Sequence, residues 1–169
     1  KKRYNGEWTD DTVCNMAKYR PSIPFTGRRQ TMPGLEHAEL RVLVMTQADG
    51  CYKEDGMLCF HFKKKRKIER CKHLLRQAGI YFTVNECRTD GTTQIKIPSR
   101  EQPMYLRMFH DKTFGMWLLD ESPDVFFDEL RYWDGSQSAK NSIQYTTTNK
   151  VNADIVQAFA HTSGRCAKM

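Results

Sequence analysis

The spacing of hydrophobic residues changes several times along the chain, and each change marks an element. From Leu35 to Ala48, the residues Leu40, Leu43, Val44 and Ala48 recur at helical spacing, and Gly50 follows as a stop. "MLCFHFKKK", residues 57 to 65, alternates instead. Leu58, Phe60 and Phe62 share one strand face, while Met57, Cys59, His61, Lys63 and Lys65 share the other. "CYKEDG" before it reads as the first strand of a hairpin turning at Asp55-Gly56. "RKIERCKHLLRQAG" returns to the helical period through Ile68, Cys71, Leu74, Leu75 and Ala78, with Gly79 at the cap position. "IYFTVNE" and "TTQIKIP" predict a second hairpin around Asp90-Gly91. Ile80, Phe82, Val84, Ile95 and Ile97 would point inward and Lys96 to the other face. "EQPMYLRMFH" then predicts a short helix, so the order is helix, strand, strand, helix, strand, strand, helix. Residues 1–34, with Pro21, Pro24, Pro33, Gly27 and Gly34, lack periodicity and read as an irregular basic N-terminal segment.

The pattern repeats. An offset of 85 residues (134 − 49) superposes Asp134-Gly135 on Asp49-Gly50. Without a gap it pairs Leu40 with Val125, Val42 with Phe127, Met45 with Leu130, and Leu58, Phe60 and Phe62 with Ile143, Tyr145 and Thr147. It continues through Lys65 and Lys150, Cys71 and Val156, Leu75 and Ala160, to Gly79 and Gly164. Two copies of one unit are therefore expected, related by a pseudo-twofold axis, as residues 35–119 and 120–169. The second hairpin and closing helix of the second copy find no counterpart, so that unit is expected to be incomplete.

Charge gives the repeat a chemistry. The net charge is +7, and Lys63 to Lys72 carries seven basic residues against the single acid Glu69. Such a cluster favours a polyanion, nucleic acid ahead of membrane. If the two helices pack side by side, Asp49 and Asp134 meet, and two carboxylates a few ångströms apart need a cation or proton between them. Hard divalent ions take such oxygens together with phosphate. The six cysteines form no CxxC pair and read as reduced, structural thiols. No apolar run is long enough to span a bilayer, and nothing behind "KKRYNGEW" resembles a secretory signal, so neither a membrane nor an exported location is expected.

"VLVMTQADG", residues 42 to 50, and "FDELRYWDG", residues 127 to 135, resemble the paired motifs of the LAGLIDADG homing endonucleases. "IQYTTTNKVNADIVQAFAHTSG" is similar to the segment following the second motif in intein-borne members, and the likeness spans about residues 35 to 164. Val44 and Glu129 stand where the motif has a small residue at the helix crossing, and Gln47 and Tyr132 where it has its other acid.

The resemblance implies an α+β fold: a pseudo-twofold repeat of αββαββα units, with the motif helices at the interface and saddle-shaped antiparallel sheets on DNA. It implies that Asp49 and Asp134 bind Mg²⁺ or another divalent cation and that Lys112, in "FHDKTFG", is the lysine near the reaction centre, with Lys96 the weaker match. The DNA-facing residues would be Lys53, His61, Lys63, Lys65 and Lys96, then Gln144, Thr146, Thr148 and Lys150. The expected function is site-specific cleavage of double-stranded DNA by metal-dependent phosphodiester hydrolysis, in the cytoplasm of a microbial or phage-infected cell. A second chain is a candidate to complete the C-terminal half. The alternative is a degenerate, maturase-like scaffold that binds DNA or RNA without cutting it, and a basic protein-interaction domain stands third.

Overall fold

The computed structural model describes residues 2–4, 7–9, 27, 30, 32–86, 91–133, 135–137 and 143–167. The N-terminal segment expected to be irregular contains an antiparallel hairpin, β1 (Lys2–Tyr4) with β2 (Glu7–Thr9).

Helix α1 (His37–Asp49) starts at a capping box, in which the Glu36 N–H donates to the Glu39 carboxylate at 2.9 Å. Every residue from Leu40 to Gln47 except Arg41 is buried, on all sides of the helix. A helix apolar nearly all round belongs in an interior. Gly50 ends it with φ −74°, so the need for glycine is spatial rather than conformational. A Cβ there would lie 2.6 Å from the Thr46 carbonyl oxygen.

Strands β3 (Gly50–Tyr52) and β4 (Leu58–Phe62) form the first hairpin, whose turn places Gly56 at φ +79°. Helix α2 (Lys65–Gln77) buries Cys71, Leu74 and Leu75 and ends at Gly79, φ +66°. Strands β5 (Thr83–Glu86) and β6 (Thr93–Ile97) complete an antiparallel sheet in the order β3-β4-β6-β5. The short helix α3 (Met104–Met108) closes a unit in the expected αββαββα order. Leu58, Phe60, Phe62, Ile95 and Ile97 pack inward, as their alternation requires.

Helix α4 (Pro123–Leu130) starts on Pro123 and packs against α1, and β7 (Gly135–Gln137) pairs with β8 (Ile143–Tyr145). Helix α5 (Lys150–Thr162) begins at Asn149, whose side chain accepts from the N–H groups of Val151 and Asn152. The offset of 85 holds in three dimensions. It relates both ends of β7 to β3 (135 − 50, 137 − 52), both ends of α5 to α2 (150 − 65, 162 − 77), and the start of β8 to β4 (143 − 58). Gly164, at φ +81°, repeats the left-handed turn of Gly79. Phe126 locks α4 in place, its ring 5.4 Å from those of both Phe114 and Phe159.

Three further expectations change. Strand β4 stops at Phe62, so Lys63 lies beyond it and Lys65 opens α2; Lys150 likewise opens α5. Val84 is 37% exposed because β5 is an edge strand, exposed along its whole length. Helix α4 ends at Leu130, and Tyr132 and Trp133 continue the path through i→i−3 hydrogen bonds to Glu129 and Leu130.

Candidate metal and nucleic-acid site

Asp49 is the last residue of α1, the end toward which the helix dipole is negative and cations are favoured. Its carboxylate is part-buried and accepts from the Lys67 ammonium at 2.5 Å. Lys67 comes from the first turn of α2, and its ammonium also sits 5.4 Å from the centre of the Trp133 ring. Arg66 donates to the Tyr132 carbonyl at 3.2 Å. The turn that leads to the second Asp-Gly therefore docks beside the first. Asp134 itself lies outside the described residues.

Lys112 approaches from the other side. It sits at φ +58° after α3, and its ammonium donates to the Gly50 carbonyl at 2.9 Å. The second unit holds that conformation in place. Buried Asn152, on α5, donates to the Lys112 carbonyl at 3.0 Å and accepts from the Phe114 N–H at 2.7 Å. Lys112 lines a cleft of about 470 Å³ with Gln47, Ala48, Asp111 and residues 146–149 and 152. Exposed Thr146 and Thr148 thus reach the Lys112 cleft, whereas Gln144 lies exposed on β8. The Gln47 side chain, in place of the motif's other acid, accepts from the Tyr145 hydroxyl at 3.3 Å and ties α1 to β8.

The donors at the end of α1 are hard oxygens, the Asp49 carboxylate and the Gly50 carbonyl, and each already draws an ammonium group. These residues fit a hard divalent cation: the donor type is right, and the Lys67 ammonium marks where positive charge is held. Among the described residues no group of three or more His, Cys, Asp or Glu side chains converges on a metal-sized site, at the end of α1 or elsewhere.

The outer face of the four-stranded sheet forms a second concavity, of about 580 Å³, lined by Lys53, Glu54, Asp55, Met57, Cys59, His61, Gln94 and Lys96. Strand register explains the grouping. Lys96 pairs with Cys59 on one side and Thr83 on the other, and Gln94 with His61 and Asn85. Two polar rows thus cross the sheet on the face opposite the core. Lys53, His61 and Lys96 belong to this face. Lys63 and Lys65 do not line it, and Lys150 is an exposed helix residue paired with Asp154 at 2.6 Å. Gln94, Thr83 and Asn85 were not singled out from sequence, although their alternation with Ile95 and Val84 carried the signal.

Lys67, Arg41 and Arg70 were also missed. Glu129, wholly buried where the motif has a small residue, is held by Arg41 at 2.8 Å, by both arms of Arg70, and by the Trp133 indole N–H at 2.8 Å. Arg41 also reaches Asp128 at 2.9 Å. Burial alone would lower the Arg41 pKa, but its bonds to Glu129 and Asp128 outweigh that and raise it. The Arg70 guanidinium lies 4.3 Å from the centre of the Tyr132 ring. The motif helices thus pack despite Glu129, because α1 and α2 supply the charges it needs. The spacing of Lys67 and Arg70, one helical turn apart within the basic run, was the available signal.

No family model matches the chain, and no curated protein sequence does. Its backbone is similar to that of I-DmoI in complex with DNA and Ca, at a TM-score of 0.49 and 13% identity over 73% of this chain and 70% of that one. I-DmoI in complex with DNA and Mn gives 0.48 and 13% over 73% and 76%. The homing endonuclease I-WcaI bound to its DNA recognition sequence gives 0.41 and 16% over 95% and 70%.

Proposed function

We propose that this chain is a site-specific double-stranded DNA endonuclease of the LAGLIDADG type, dependent on a divalent cation such as Mg²⁺. The observation that carries the reading is the convergence on one helix end. Asp49, Lys67 and Lys112 meet there, and the Trp133 turn that precedes Asp134 rests on Lys67. Asp49 and Asp134 are assigned to hold the cation. When bound, that cation neutralises phosphate charge and makes water a better nucleophile at neutral pH.

The other roles belong to the chain's own side chains. Lys112, held by Asn152 and Gly50, presents a positive charge to the cleft, where it would stabilise charge developing on phosphate oxygens. The sheet face carrying Lys53, His61 and Lys96, with Gln94 between them, meets the duplex. Major-groove edges offer such donors and acceptors a distinct pattern for each base pair. Lys63, Lys65, Gln144, Thr146, Thr148 and Lys150 are assigned to its margins and the backbone. The intein-borne origin rests on the segment from Ile143 to Gly164, and the coding sequence on either side decides it.

A second reading has one observation in its favour. Among the described residues the second unit pairs two strands where the first pairs four. That reading is a scaffold that binds nucleic acid without cutting it. A library of randomised duplex DNA separates the two readings. Mg²⁺-dependent cutting of both strands, lost in Asp49→Asn and Asp134→Asn, supports the nuclease. Salt-sensitive binding without nicking selects the binding scaffold.

A further inference from the structure

We infer that Lys67 is a displaceable counter-cation, which competes with the divalent metal ion for Asp49 and yields its place on loading. The inference rests on the metal-site reading above and gives a role to a residue to which that reading assigns none.

Three observations carry it. The Lys67 ammonium lies 2.5 Å from Oδ2 of Asp49, inside the space a metal ion on that oxygen would need. The pair is part-buried, with the two side chains 17% and 27% exposed, so the attraction is less screened than on an open surface. The ammonium also has a place to go, since it already lies 5.4 Å from the centre of the Trp133 ring, where a cation is held without a carboxylate. The pairing therefore keeps the Asp49 charge compensated while no metal ion is present, and raises the concentration of metal ion needed to displace it. A phosphodiester offers the ammonium a third partner, so polyanion binding draws Lys67 from Asp49 and favours the metal ion. By linkage, the metal ion favours the polyanion to the same extent.

The test uses the DNA-free protein and Mn²⁺ alone, with free ion read by electron paramagnetic resonance. Lys67→Met is expected to tighten Mn²⁺ binding by about tenfold, because it removes a full positive charge in contact with the ligand. Adding duplex DNA is expected to tighten Mn²⁺ binding in the parent protein more than in Lys67→Met. Unchanged or weaker Mn²⁺ binding in Lys67→Met overturns the inference. Lys67→Gln provides a second neutral variant, and circular dichroism establishes that each protein tested is folded. Asp49→Asn separates this idea from its premise. If that variant binds Mn²⁺ as the parent does, the metal site itself is wrong and the inference falls with it. If it loses Mn²⁺ while Lys67→Met changes nothing, only the role of Lys67 is overturned.

Discussion

The Lys112 ammonium donates a 2.9 Å hydrogen bond to the carbonyl oxygen of Gly50, the residue that follows Asp49. Asn152 of the second unit fixes the backbone on which Lys112 stands. Lys112→Met is expected to slow DNA cleavage by roughly 100-fold, the usual scale for losing one positioned charge-stabilising donor. Duplex affinity should hardly change. Single-turnover cleavage and equilibrium binding on the same duplex give the two numbers, and a parallel loss in both would make Lys112 a binding residue instead.

Glu129 is the charged centre of the helix pair. Removing it leaves Arg41 and Arg70 facing each other without their shared carboxylate. Glu129→Leu should cost about 3 kcal/mol, at the low end for a broken buried pair because both arginines retain some exposure. Replacing Arg41, Arg70 and Glu129 together by Met should recover much of that loss. Urea denaturation of the parent and the two variants measures both effects.

On the sheet face, Lys53→Ala and Lys96→Ala should each weaken duplex binding and reduce the salt dependence by about one unit of slope. Lys150→Ala should do neither to the same degree, because Lys150 pairs with Asp154 on a helix. Binding isotherms at several salt concentrations distinguish the two classes.

Buried Glu121 accepts the N–H groups of Gly34 at 3.1 Å and Leu35 at 3.4 Å. Burial pushes its pKa up, and these two hydrogen bonds pull it partly back. With the folded pKa raised, the associated stability is present below the ordinary carboxylate value and is lost as pH rises through the folded one. Glu121→Gln keeps one acceptor and removes the charge. Its melting temperature relative to the parent should therefore rise as the pH climbs from the ordinary carboxylate range through the raised folded value, and then level off. Thermal melts at closely spaced pH values test the sign.

Much of the fold was legible because the period of the apolar residues is local information. The apolar stripe of α2, the inward row Leu58, Phe60 and Phe62, and the left-handed turns at Gly79 and Gly164 all follow from short-range pattern. Features set by distant partners were harder. Val84 alternates like a core residue, but an edge strand leaves it exposed. Glu129 reads as an intrusion into a helix crossing until Arg41, Arg70 and Trp133 are seen around it. Asp49 and Lys112 could be named in advance because a repeat and a resemblance pointed at them. Lys67 could not, since one lysine in a basic run is indistinguishable from its neighbours until the helix is placed.

The most direct measurement is a cleavage selection on a library of randomised DNA duplexes, sequenced before and after incubation with the protein and Mg²⁺. Depletion of one related group of sequences by cuts in both strands is expected, dependent on the divalent cation and absent with Asp49→Asn. No depletion under conditions where the folded protein binds duplex, or equal depletion by Asp49→Asn, would contradict the nuclease reading.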